Sequence, residues 1–205
     1  MSFTTYATLS AALSDWEERS FSPSETDEFI ALAEAAANRK LRADFRRRTS
    51  TTITTDASGE ATLPTGFVGM TSLVRDVVGS VPLTQVSWDA LIERNPYEVA
   101  EDAGVYAVNG TVLKVAPVTE DDFIAKFSSV LTGLSGSNTT NWLLTLAPDY
   151  YLFYGQAMAA AKAKDYGAAS GLKSEALAIL DEIVSQGNVA EYGNNAEMTL
   201  PMATP

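Results

Sequence analysis

Apolar residues recur at three- and four-residue steps near both ends of the chain and fall into short β-prone runs between them. Tyr6, Leu9, Leu13 and Trp16 give residues 5–19 a single apolar face, the pattern of an amphipathic helix. Ser22-Pro23-Ser24-Glu25 reads as the start of a second helix. Ser22 caps, Pro23 suits the first helical position, and Glu25 reaches back to the cap amide. Phe29, Ala33, Ala37, Leu41 and Phe45 form a four-residue row that carries this helix to about Arg47. Its centre (Ala31, Ala33, Ala35, Ala36, Ala37) is small enough for another helix to approach closely.

The middle third changes period. Thr51 to Thr55 is β-prone, and Asp56-Ala57-Ser58-Gly59 turns it back into Ala61-Thr62-Leu63. Val77-Val78-Gly79-Ser80-Val81 reads as a tight hairpin with glycine at the first turn position. Val105 to Leu113 reads as a second hairpin, about Asn109-Gly110. A short helix is expected at Ser87 to Ile92 and a strand at Phe123 to Leu131. Helical periodicity returns with a turn at Asn141 to Leu146 and a helix opened by Pro148 that ends near Lys164. Asp165-Tyr166-Gly167 breaks it. Leu172, Ala176, Ile179, Leu180 and Ile183 define a last helix, stopped by Gly187 and Asn188. The fold class is α+β: a bundle of four main helices with an inserted antiparallel β-region and an extended tail. The expected parts are a helical core over 1–48 and 138–188, a β-rich insertion over 49–137, and a tail over 189–205.

Composition narrows the chemistry. The 205 residues hold no cysteine and no histidine, which excludes disulfides, thiolate metal sites and the commonest general base near neutral pH. Residues 1–20 lack the charge and apolar pattern of a secretory leader, and no apolar run approaches the length of a membrane span. An intracellular protein, or one released by a route other than secretion, is expected. Net charge is −12 and unevenly spread. Arg39, Lys40, Arg42, Arg46, Arg47 and Arg48 cluster at the end of the second helix, whereas Asp89 to Asp122 is strongly acidic. An acid excess argues against general nucleic-acid affinity, which is driven by phosphate neutralisation.

No catalytic pattern stands out. Paired carboxylates (Glu17/Glu18, Asp121/Asp122, Asp181/Glu182) are sequence neighbours that do not converge on one substrate, and solvated faces are full of such pairs. Glu120-Asp121-Asp122 lacks the spacing and glycine of a calcium loop. Gly133-Leu134-Ser135-Gly136-Ser137 has no histidine to activate its serines and reads as a loop. No enzyme, cofactor or metal is expected. The basic cluster has three readings: a solvated helix end favoured by the dipole, contact with an acidic protein, or contact with DNA. The aromatic cluster Trp142, Tyr150, Tyr151, Phe153 and Tyr154 reads mainly as core against the second helix.

Two stretches add a resemblance. Phe29-Ile30-Ala31-Leu32-Ala33-Glu34 with Asn38-Arg39-Lys40-Leu41-Arg42 resembles the second helix of tailed-phage head-to-tail adaptor proteins, the rings beneath the portal. Ser137-Asn138-Thr139-Thr140-Asn141-Trp142-Leu143-Leu144 with Pro148-Asp149-Tyr150-Tyr151-Leu152 is similar to the segment leading into that family's third long helix. Thr5 to Trp16 and the order of elements fit as well. The resemblance implies a structural protein of the virion neck, made in the host cytoplasm. It would form a twelve-copy ring bound to the portal protein, meet the tail nozzle, tube or other tail components, and help retain packaged DNA. DNA would pass through the lumen without sequence-specific binding, and no membrane is involved. The candidate partner-binding residues are Arg42, Arg46, Arg47 and Arg48 of the basic cluster and Tyr192, Met198, Leu200, Pro201 and Met202 of the tail. The competing function is a phage-encoded DNA-associated protein using the basic helix end. A carboxylate-based cell-wall hydrolase is a third.

Overall fold

The structure is a computed structural model that describes residues 3–41, 47–93 and 104–192, with side chains to 187. The chain is α+β, with six helices and seven strands among the described residues. It divides into two compact units, a helical one (1–46 and 131–205) and a β-rich one (47–130).

In the helical unit, α1 (Tyr6–Trp16) is opened by a reciprocal capping box between Thr5 and Thr8. A second box, Ser22 with Glu25, opens α2 (Pro23–Lys40) with proline in its first turn. The expected four-residue row is buried: Phe29, Ala33, Ala37 and Leu41 are each 2% exposed or less. The apolar face of α1 is shorter than its pattern implies. Leu9 and Leu13 are buried, but Trp16 is 55% exposed. The helix α5 (Pro148–Lys162) has buried residues on every side, and α1, α2, the short α4 (Trp142–Leu146) and α6 (Tyr166–Tyr192) all pack on it. At Gly155 the α1–α5 contact is so close that an added Cβ would sit 2.5 Å from Leu13 Cδ2. Tyr150, Tyr151 and Tyr154 are core, with Trp142 and Phe153 partly buried against it.

Three helix ends differ from the sequence reading. Within the described residues α2 ends at Lys40 rather than Arg47, with Leu41 as its C-cap, and Arg48 begins a strand paired with residues far along the chain. Phe45 lies outside the described residues. The break before α6 falls at Lys164, in the left-handed region (φ 66°), and Asp165 accepts the Ala168 N–H at 3.0 Å as a cap. Tyr166 and Gly167 are therefore inside α6. That helix also continues through Gly187 and Asn188 to Tyr192, since a single interior glycine costs only about 1 kcal/mol.

The β-rich unit holds two sheets. β1 (Arg48–Thr54), β7 (Asp122–Ser129) and β3 (Phe67–Arg75) form an antiparallel sheet in the order β1-β7-β3. The other is ordered β2-β6-β5-β4, from β2 (Glu60–Thr62), β6 (Val112–Ala116), β5 (Val105–Asn109) and β4 (Thr84–Gln85). Ile53, Leu73, Phe123 and Phe127 from one sheet share a core with Tyr106, Leu113 and Val115 from the other. The helix α3 (Trp88–Glu93) covers the opposite face of β5 and β6 through Leu91, Ala107 and Ala116. Burial on both faces accounts for the near-continuous apolar character of β6. Lys114 lies within it because its Nζ reaches Glu60 Oε1 at 2.8 Å on the facing strand.

All three expected hairpins are altered. The Asp56–Gly59 turn forms, with Asp56 Oδ1 accepting the Ser58 and Glu60 amides, but β1 and β2 leave it for different sheets. Only a bridge between Val74 and Pro82 and a Leu83-to-Leu73 hydrogen bond follow the Val77–Ser80 turn before β4 joins the other sheet. Pro82 has no N–H to extend a ladder. Gly79 (φ 88°) sits at the second central position, the type II arrangement. Asn109 is a strand residue facing Val112, so the β5–β6 turn is Gly110-Thr111, with the positive φ on Gly110 alone. That is the II′ pattern, which spares β-branched Thr111 a positive φ.

Gly155→Ala is expected to destabilise the protein by about 1–3 kcal/mol through overpacking against Leu13. In urea unfolding, its cost should be smaller in a Leu13→Ala background than in the parent, because the two side chains share one space.

Candidate interaction site

The two signature stretches meet in one buried polar cluster. Glu34, on the inner face of α2, is 8% exposed. Its Oε1 accepts the Leu134 N–H at 2.7 Å, Asn141 Nδ2 at 3.3 Å and the Tyr151 hydroxyl at 3.4 Å. Asn141 also caps α4 through its Oδ1 (Leu144 N, 2.8 Å), while its Nδ2 reaches the Thr132 carbonyl at 3.0 Å and the Tyr151 oxygen at 2.9 Å. One turn along α2, Asn38 Oδ1 accepts the Leu131 N–H at 2.8 Å. Tyr150 donates to the Ala33 carbonyl at 2.5 Å. A Cβ on Gly133 would lie 3.2 Å from Glu34 Oε2, so glycine there lets the loop backbone close over the carboxylate.

Burial pushes the Glu34 carboxyl above its ordinary range, against the Leu134 N–H and the Tyr151 hydroxyl, which favour the anion. Burial likewise lifts the Tyr150 and Tyr151 hydroxyls well above theirs, so both remain donors. The cluster is a clamp on the segment returning from the β-rich unit. Among the described residues no group of acidic side chains is arranged to hold a metal ion.

The candidate partner residues fall in different places. Arg47 is 4% exposed, and its Nε donates to the Ser129 carbonyl at 2.7 Å, while Ser129 Oγ donates back to the Arg47 carbonyl at 3.3 Å. It therefore ties the entry of the β-rich unit to its exit instead of projecting from a helix end. Arg48 opens β1, exposed and opposite Ser128. Tyr192 is the last residue of α6. Arg42, Arg46, Met198, Leu200, Pro201 and Met202 lie outside the described residues.

Two surface features escape the sequence reading. The Val77–Val81 loop projects three bare valines, with Val77, Val78 and Val81 exposed by 53%, 103% and 76%. Beside them stand exposed Asp76, whose N–H donates to the Asp122 carbonyl, and Asp121, paired with Arg75. In the helical unit, α2, α5 and α6 leave a shallow groove of about 300 Å³ with Ala36, Tyr154 and Leu177 in its floor and Arg39, Lys40 and Lys173 on its rim. Lys40 Nζ pairs with Asp181 at 2.7 Å. Consecutive valines around a glycine suggest a β-hairpin, and only the absence of a ladder reveals a tip.

Comparison with known families sets the class: the chain is a phage adaptor, a structural protein and virion component. It belongs to the SU10 adaptor protein family, whose family model matches residues 4–199. Both signature stretches lie within the match, and the resemblance read from them is borne out. No curated protein matches the chain. No helix among the described residues is long and apolar enough to cross a membrane.

The raised Glu34 pKa means that the folded protein holds a proton more tightly there than the unfolded chain. Its contribution to stability therefore falls as pH rises from the ordinary carboxylate value towards the raised one. Glu34→Gln, which keeps an acceptor without the charge, should gain Tm relative to the parent as pH is raised from about 4.5 to about 7.5. Melts across that range check this.

Proposed function

We propose that the protein assembles as a ring beneath the portal, connecting head to tail and helping to retain the packaged genome, with twelve copies per ring. The observation that carries this reading is the match to the adaptor family over residues 4–199. A long helical unit interrupted by a separate β-rich unit suits an adaptor that meets one structure through each part. The helical unit would lie against neighbouring copies and the portal, and the β-rich unit would face the tail components. Arg42, Arg46 and Arg48 and the tail residues Tyr192, Met198, Leu200, Pro201 and Met202 are the proposed partner contacts. Arg47 acts indirectly, by holding the start of β1. With a net charge of −12, the ring would let DNA pass without gripping it. Twelve weak portal contacts acting together would give a stable complex.

Native mass spectrometry of the protein mixed with the portal of the same phage tests the reading. Portal complexes carrying about twelve copies are expected, with occupancy reduced for a chain ended after Tyr192. Failure of the full-length chain to bind portal would overturn it. Salt-sensitive retention of duplex DNA would favour the DNA-associated reading in its place. Peptidoglycan release should stay at background.

A further inference from the structure

Burial at the valine tip runs opposite to what its residue types favour. Three valines within five residues stand in solvent, with Val78 wholly uncovered. The loop does not pack down on its sheet. Beneath it is a hollow of about 450 Å³ lined by Arg75, Leu83 and Gly104 as well as the tip itself. The type II turn fixes the backbone through the Ser80 N–H to Val77 carbonyl bond at 3.1 Å, so the valines are presented by an ordered loop. Contiguous apolar surface of this kind marks a contact site.

The helical unit offers a counterpart. The groove between α2, α5 and α6 has an apolar floor and a basic rim, in a chain that carries only 14 basic residues against 26 acidic ones. Asp181 offsets one of its three cations. The tip is the reverse, an apolar point with exposed Asp76 at its base, while Asp121 is matched by Arg75 and Asp122 accepts from the Thr54 hydroxyl. Two tips would repel each other, as would two rims, whereas tip and rim attract. Since the two patches differ, their pairing is head-to-tail, the kind of contact that closes rings.

We propose that the Val77/Val78/Val81 tip of one copy seats in the Ala36/Tyr154/Leu177 groove of a second copy, with Asp76 against Arg39 and Lys173. The contact rests on the ring-forming reading and supplies its subunit interface. Apolar burial would provide the affinity, and the charges would set the register and exclude tip-to-tip pairing.

The absence of native cysteine makes the test clean. Val78→Cys and Lys173→Cys, both at exposed positions, are prepared as separate single-cysteine proteins and mixed with a short bismaleimide. Native mass without crosslinker, with and without the portal, reports ring formation independently. A covalent dimer from the mixture, absent from either protein alone and from Val78→Cys mixed with Ala11→Cys on α1, is the expected result. Rings that form without this link, or with Val78→Cys joined to itself or to portal, would overturn the contact and leave the ring reading standing. No multimer in either condition would overturn both. Lys173→Glu should weaken association by about tenfold or more, and Asp76→Lys in the same chain should restore it. Loss without restoration would overturn the pairing.

Discussion

A single buried carboxylate holds the helical unit together across the insertion. Glu34 has no cation within its cluster of partners, and a bare charge in that position would cost several kcal/mol. It is tolerated because three donors converge on Oε1: the amide of Leu134, the amide group of Asn141 and the hydroxyl of Tyr151. Each comes from at least 100 positions further along the chain, after the whole β-rich unit has intervened. Through them Glu34 joins α2, the returning loop and the start of α4. Helix α5 adds the apolar half of the same constraint. Its buried residues lie on every side, covered by helices from both ends of the sequence.

The junction between the units is secured separately on each side. Within the helical unit, Asn38 and Glu34 hold Leu131 and Leu134 against α2. Within the β-rich unit, Arg47 and Ser129 exchange hydrogen bonds, and β1 runs antiparallel to β7 from Arg48 and Ser128 onward. The entry and exit of the insertion are therefore neighbours, the arrangement in which an inserted domain disturbs its host least.

What could be read from the sequence was local. The row Phe29, Ala33, Ala37, Leu41 declared a buried helix face, and Ser22 with Glu25 declared its start, because both signals lie within one or two turns of chain. The end of α2 could not be read in the same way. By Arg48 the chain is already in a strand paired with Ser128, and nothing near Arg48 announces that partner. The turn at Asp56–Gly59 was legible from its own side chains, yet its two strands separate because β7 and β6, not each other, are their partners. Gly187 and Asn188 look like a stop and are not one. The functional surface divides along the same line. Glu34, Asn38 and Asn141 stood out as parts of a family signature, but their meeting in one cluster is a tertiary fact. The valine tip was hidden because exposed and buried valines look alike in a sequence.

The distance between the two halves of the helical unit also orders its birth on the ribosome. The β-rich unit, with its ends joined at Arg47 and Ser129, is complete by about residue 130. At that stage α1 and α2 have been made, but Leu9, Leu13, Phe29 and Ala37 have no α5 to cover them. They form an apolar surface that the last third of the chain covers, the kind of transiently exposed surface that favours aggregation. The groove of α2, α5 and α6 does not exist before α6 emerges. A partly made subunit thus lacks the groove through which, on the proposed contact, finished copies would associate.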